Sequence, residues 1–193
     1  FSQTGWTWTE LNSMPERISN NAVSQGVDGS GNVNVYSFSG IDSTKLYSGI
    51  NLKSYRYNVT TAQWDTIAPL PDGLGKIAAG ASTIKNKIYI IGGYHVNANG
   101  SEISSSNIHV YDPVTNHYLP DGSDIPIAID DHVQAVWRDS LIYVITGWSN
   151  NNNVPDVQIY DPANDNWLVG TATPNITQYK MFGASGVIIG DTI

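Results

Sequence analysis

Cysteine is missing altogether from the 193 residues, and positive charge is scarce, with 9 Lys and Arg set against 17 Asp and Glu. The first absence removes disulfides, thiolate zinc sites and cysteine nucleophiles. The second, a formal net charge of −8, argues against nucleic acid or an anionic membrane as partner, because phosphates are met by clustered basic side chains. No apolar run reaches the roughly 20 residues that span a bilayer. Charged residues of both signs make up 13%, about half the usual share, so the surface is neutral-polar rather than laced with ion pairs. Stretches rich in Ala, Leu, Glu and Lys are also wanting, which excludes long helices. There is no Gly-x-Ser-x-Gly elbow, no His-Glu-x-x-His, no P-loop and no dinucleotide fingerprint, and neither a cofactor nor a metal is expected. The chain opens on Phe1 rather than Met. With an Asn-, Ser- and Thr-rich composition, this suggests that a secretory signal peptide has been removed, and an extracellular, periplasmic or cell-surface location is expected.

What the chain does contain is a repeat of β-branched, aromatic and turn residues. Residues 76–119 hold Lys87-Ile88-Tyr89-Ile90-Ile91-Gly92-Gly93, then Ile108-His109-Val110-Tyr111-Asp112-Pro113, then Tyr118. Residues 131–168 hold Leu141-Ile142-Tyr143-Val144-Ile145-Thr146-Gly147, then Val157-Gln158-Ile159-Tyr160-Asp161-Pro162, then Trp167. Residues 17–66 form a looser copy, with Ser39-Gly40, Tyr57-Asn58 and Trp64. Gly40, Gly93 and Gly147 lie 53 and 54 residues apart, and Tyr57, Tyr111 and Tyr160 lie 54 and 49 apart. A period near 50 suits a four-stranded blade. In the second copy 77–84 reads as the innermost strand and 87–91 as a buried second strand ended by the glycine pair. Residues 107–111 then make a third strand, stopped by proline, and Tyr118 marks the outer one. The repeat-position tyrosines and tryptophans read as packing. His109, alternating with Ile108 and Val110, reads as a structural histidine.

These residues resemble the kelch repeat: a Gly-Gly after an apolar strand, a Tyr-Asp-Pro turn and an aromatic opening the outer strand. The resemblance covers nearly the whole chain and is looser in the first copy. It implies an all-β fold, a propeller of four-stranded antiparallel blades, with blades at 17–66, 76–119 and 131–168. Residues 5–11 read as an outer strand without its own blade, and 180–193 as the start of a further blade. The expected organisation is a single propeller domain, with the remaining blades supplied by a longer chain or by another copy.

In such a meander the second-to-third-strand loops and the blade-to-blade connections emerge at one edge, and long loops on a rigid scaffold are where function concentrates. Tyr94 and His95 follow Gly93, and Trp148 follows Gly147, at matching positions of adjacent blades. With Asn150 and Lys180 they are the candidate ligand-binding residues, since flat aromatics stack on sugar rings or anchor a protein partner. Arg17, Lys76 and Lys180 stand at the entries to the first, second and fourth inner strands, with Asp130 and Asp131 at the corresponding place in the third. There the basic residues point to a channel mouth and suit a carboxylate, and neutralising the strand ends is the equal alternative. His132, beside Asp130 and Asp131, forms a possible acid/base group. The kelch family includes adaptors, copper oxidases and sugar-acting enzymes, so fold alone does not choose among them. Absence of Cys removes the Cys-Tyr crosslink that galactose oxidase needs. The expectation is a non-catalytic recognition module, of the bacterial exported type, that binds a glycan or protein ligand on its loop-rich face. One alternative is a sugar-modifying enzyme similar to N-acetylneuraminate epimerase, with Arg17, Lys76 and His132 as its candidate catalytic residues. The other is an architectural module of a larger surface protein.

Overall fold

A computed structural model describes Gly5 and residues 7–192. Among these residues all regular structure is β apart from a single 3-10 turn at Tyr47–Gly49. Three antiparallel sheets follow one another along the chain. From inside to outside the first has Ala22–Val27, Val33–Asp42, Ile50–Asn58 and Gln63–Ile67, with Ile18–Ser19 paired to the far end of its second strand. The second has Ile77–Ile84, Lys87–Val96, Ile108–Asp112 and His117–Tyr118. The third has Val133–Trp137, Leu141–Ile145, Val157–Asp161 and Asn166–Val169. This is the propeller expected from the repeat.

The core lies between blades. Tyr36 and Phe38 from the first blade meet Ile88, Ile90 and Tyr111 from the second. Ile91, Ile108 and Val110 on the other face of the second meet Ile142, Val144 and Tyr160 of the third. Strand alternation makes this possible, because one strand supplies both interfaces with successive side chains: Ile90 belongs to the first core and Ile91 to the second. Each tyrosine before the turn also packs, tilted or edge-on, against the aromatic directly across its own blade, Tyr57 against Trp64, Tyr111 against Tyr118 and Tyr160 against Trp167, at 5.0–5.1 Å between ring centroids.

Three expectations are corrected here. Gly92-Gly93 does not end the second strand, which runs on to Val96 and pairs with the short strand Glu102–Ser104. The two glycines take φ of +66° and +85°, so they turn the strand upward instead of stopping it. The outer strand expected at 5–11 is not formed: Gly5 and residues 7–14 carry no regular structure, and Trp6 lies outside the described residues. Asn12 alone joins that stretch to the first blade's outer strand, its carbonyl accepting from Trp64 Nε1 at 2.8 Å. Residues 182–189 likewise form no ladder; a bridge joins Ile189 to Thr192, and Ile193 lies outside the described residues.

Candidate functional site

A repeated backbone clasp builds the loop-rich edge. The amide of Gly40 donates to Lys76 O, that of Gly93 to Ile129 O and that of Gly147 to Met181 O, at 3.0, 2.9 and 2.8 Å. Two residues beyond each acceptor an amide donates back to the preceding blade: Ala78 to Asn20 O, Asp131 to Ala78 O, and Gly183 to Asp131 O, at 3.1, 3.1 and 2.8 Å. Asn20, Ala78, Asp131 and Gly183 all have left-handed φ, between +49° and +66°. These bonds make Ser19-Asn20, Ile77-Ala78, Asp130-Asp131 and Phe182-Gly183 equivalent positions. Residues 181–183 therefore hold the same geometry as the start of an inner strand, although no ladder continues from them.

The clasp gathers side chains from five segments of the chain. Tyr94, Glu102, Asp130, Asp131, Trp148 and Phe182 line one cleft of about 260 Å³. Trp148 is tied to Asp130 by two backbone hydrogen bonds of 2.9 Å, and its ring meets Phe182 edge-on at 6.0 Å. Asp130 is buried, and its Oδ2 accepts from Ser104 Oγ at 2.6 Å. Burial raises the Asp130 pKa to about 6, with Asp131 and Glu102 adding to the rise. Burial, then Glu102, raises Asp131 as well. Burial pushes the Tyr94 phenol up to about 12.

Tyr94 and Trp148 thus share a cleft, and Phe182 joins them. The other candidates go elsewhere. His95 turns toward the first blade, its Nδ1 lying 2.9 Å from Gly75 O. Asn150 is a tether between blades: its Oδ1 accepts from Ser104 N at 3.1 Å, and its own amide donates to Ser104 Oγ at 2.8 Å. Lys180 sits in a turn, its amide bonded to Ile176 O, and does not line the cleft. Arg17 is exposed in a separate hollow of about 700 Å³ between residues 13–19 and 41–45.

Lys76 does not point to a channel mouth. It is wholly buried, with Nζ 2.6 Å from Asp72 Oδ2 in an ion pair that accompanies His109. His109 Nε2 lies 3.1 Å from the same carboxylate and Nδ1 lies 3.0 Å from Asp121, so this histidine is structural. His132 is buried too, with Nε2 beside Gln134 Oε1 at 3.0 Å. Burial lowers its pKa to about 4. Arg17, Lys76 and His132 therefore occupy three unrelated surroundings and make no joint catalytic group.

The adjacent pair Asp130 and His132 supports a pH prediction. Asp130 is raised from 3.8 to about 6, so the folded chain holds that proton more tightly, and stability falls as pH rises from about 4 to 6. His132 is lowered from 6.5 to about 4, so the unfolded chain takes that proton, and stability rises with pH over much the same window. The two effects, each on the order of 2–3 kcal/mol, oppose one another. Urea midpoints of Asp130→Asn should therefore climb between pH 4 and 6.5, and those of His132→Gln should fall. Parallel profiles in the two variants would refute the assignment.

Comparison with known proteins agrees with this architecture. The kelch motif model matches residues 78–119. The chain is 27% identical over 171 residues to Kelch-like protein terF of Aspergillus terreus, covering 83% of this chain and 35% of that protein. It is 26% identical over 166 residues to Beta-scruin of Limulus polyphemus, covering 82% of this chain and 17% of that one. The chain thus spans about a third or less of these relatives. The solved structure described as "Structure of YjhT" superimposes with a TM-score of 0.75 at 20% identity, over 94% of this chain and 57% of that one. With its repeated glycine turn, its Tyr-Asp-Pro corners and its clasped four-stranded blades, the chain has the fold of the kelch-type β-propellers and carries a kelch motif at residues 78–119.

Proposed function

We propose that the chain is a non-catalytic recognition module whose loop-rich face binds a protein ligand. One observation carries this reading: Tyr94 and Trp148, from adjacent blades, flank the same cleft with Phe182, an aromatic grouping of the kind that anchors partners. Sugar-ring stacking on the same rings is the second reading. The sugar-acid enzyme has less support. Its candidate residues lie apart, and Glu102, Asp130 and Asp131 would repel a substrate carboxylate at the cleft.

We propose a location outside the cytoplasm, supported by the Asn-, Ser- and Thr-rich, neutral-polar composition. Its ring would be completed by further blades, from the same chain or another copy. In support, Tyr143, Ile145, Val157, Ile159 and Val169 line an apolar hollow of about 590 Å³ on the third blade, with Val169 96% exposed, the kind of face that demands a covering partner.

A photo-crosslinking benzoylphenylalanine at position 94 should trap a discrete partner in source cells, while the same group at Asn58, in the third strand of the first blade, should not. Trp148→Ala should reduce the adduct roughly tenfold, the scale of one aromatic anchor, with unchanged circular dichroism. Equal adducts from both positions would overturn the reading, and an adduct made of glycan would select the second.

A further inference from the structure

The cleft between the second and third blades carries more negative charge than its backbone requires. Where it has Asp130-Asp131, the equivalent clasp positions have Ser19-Asn20, Ile77-Ala78 and Phe182-Gly183. Left-handed backbone suits Asp as it does Gly and Asn, but Asn20, Ala78 and Gly183 hold the same place as Asp131, so neither aspartate is required by the fold. Glu102 arrives independently, on the short strand Glu102–Ser104. No Lys, Arg or His among the described residues lines the cleft. Among the described residues a single neutral hydroxyl, that of Ser104, hydrogen-bonds the buried Asp130 carboxylate. Grouping carboxylates in a half-enclosed site costs free energy unless a counter-charge joins them.

The walls say which counter-charge. The aromatic rings of Tyr94, Trp148 and Phe182 line the cleft; an aromatic ring attracts an organic cation by its quadrupole and adds no carboxylate or carbonyl ligand for a bare metal ion. Among the described residues no three His, Cys, Asp or Glu side chains are grouped to hold a metal. At about 260 Å³ the cleft falls below the roughly 300–1,000 Å³ that encloses a drug-sized ligand, and it suits one side chain.

We propose that this cleft binds a cationic side chain, the guanidinium or ammonium of an Arg or Lys presented by a partner protein, between the aromatic walls and the carboxylates of Glu102, Asp130 and Asp131. The proposal rests on the loop-rich face being the recognition surface. The raised pKa of Asp130 and Asp131 has the same origin, burial and neighbouring acid without a neutralising base.

The test follows the Trp148 indole N–H by NMR, assigned with Trp148→Phe, in the ¹⁵N-labelled full chain. Acetyl-Gly-Arg-Gly-amide or its Lys analogue should shift this resonance saturably. The citrulline peptide, of the same shape without charge, should bind about tenfold more weakly or worse, as for loss of a desolvated charge pair. The double variant Glu102→Gln, Asp131→Asn should lose the basic peptide to the same extent. It should fold normally, since Glu102 is exposed and Asn is at ease at the φ of +49° held by Asp131. Equal responses to the charged and citrulline peptides would overturn the proposal. So would undiminished binding in the double variant, or a response to glucosamine and to neither basic peptide. If crosslinking at position 94 persists in the double variant, recognition on this face stands and the cationic assignment falls.

Discussion

Asp72→Asn should destabilise the protein by about 3–5 kcal/mol, the usual consequence of leaving a buried charge without its partner. Lys76 is 0% exposed, and its ammonium lies 2.6 Å from Asp72 Oδ2. His109, buried on the second blade, reaches the same oxygen at 3.1 Å, and Gly73 N donates to the other oxygen at 2.7 Å. One carboxylate thus joins the connection after the first blade to the inner and third strands of the second. Removing its charge strands an ammonium that cannot reach water. For a chain of this length the loss corresponds to roughly 10 °C in Tm. Adding Lys76→Met to Asp72→Asn should recover much of the loss, because the stranded ammonium is then gone and a neutral site of similar volume is tolerated. An additive double variant would show that the pair does not act as a unit. Acid supplies a second readout. The pKa of Asp72 is held well below 3.8 against the opposing effect of burial, by hydrogen bonds from His109 and Lys76 and by the charges of Lys76 and His95. Its contribution is complete above about pH 4 and is lost as pH falls below that value. Wild type should therefore lose stability below pH 4, and Asp72→Asn should lose less.

Lys76 also marks where the sequence misleads. Arg17, Lys76 and Lys180 look equivalent because each is a basic residue just ahead of an inner strand. The clasp hydrogen bonds instead align Lys76 with Ile18, Ile129 and Met181, and so align Arg17 and Lys180 with Gly75. A shift of one residue in extended chain moves a side chain to the opposite face. Lys76 accordingly enters the blade interface while Arg17 stays in solvent. Charge type is visible in a sequence, whereas register at this resolution is not. The strands themselves were legible because they are apolar, β-branched runs bounded by turn residues. The meeting of Tyr94 with Trp148 was legible for a related reason: each directly follows the glycine that fixes the clasp. Phe182 was read as part of an inner strand, and its place in the cleft depends on how residues 181–183 dock on the third blade. Glu102 could be assigned to the loop-rich face, but not to a strand paired beyond Gly93, since a glycine pair gives the same sequence signal whether it ends a strand or bends it.

That glycine turn yields the other large effect. Gly147→Ala should cost about 3–5 kcal/mol, combining backbone strain of 1–3 kcal/mol with overpacking of similar size. Its φ of +112° lies outside the left-handed well in which Asn20 and Ala78 are accommodated. A Cβ placed there would meet Asp130 O at 2.6 Å and the Cβ and Cα of His132 at 2.9 and 3.0 Å. Two of these atoms are backbone, held by the bridge between Trp148 and Asp130, so the inner strand must move as a body to admit a methyl group. The preceding residue behaves differently. Thr146 takes φ of +51°, and its hydroxyl donates to Met181 O at 2.9 Å, so only the second position of the turn demands glycine. Gly100→Ala separates the two contributions, because φ there is +82° with no atom within 4 Å of the added carbon. It should cost about 1–2 kcal/mol. If urea denaturation gave the same loss for both variants, the contact with Asp130 and His132 would contribute nothing and the clasp would be a conformational preference alone. A larger loss in Gly147→Ala, with displacement of the Trp148 indole resonance, would show that this close approach holds the second and third blades in register and shapes the cleft between them.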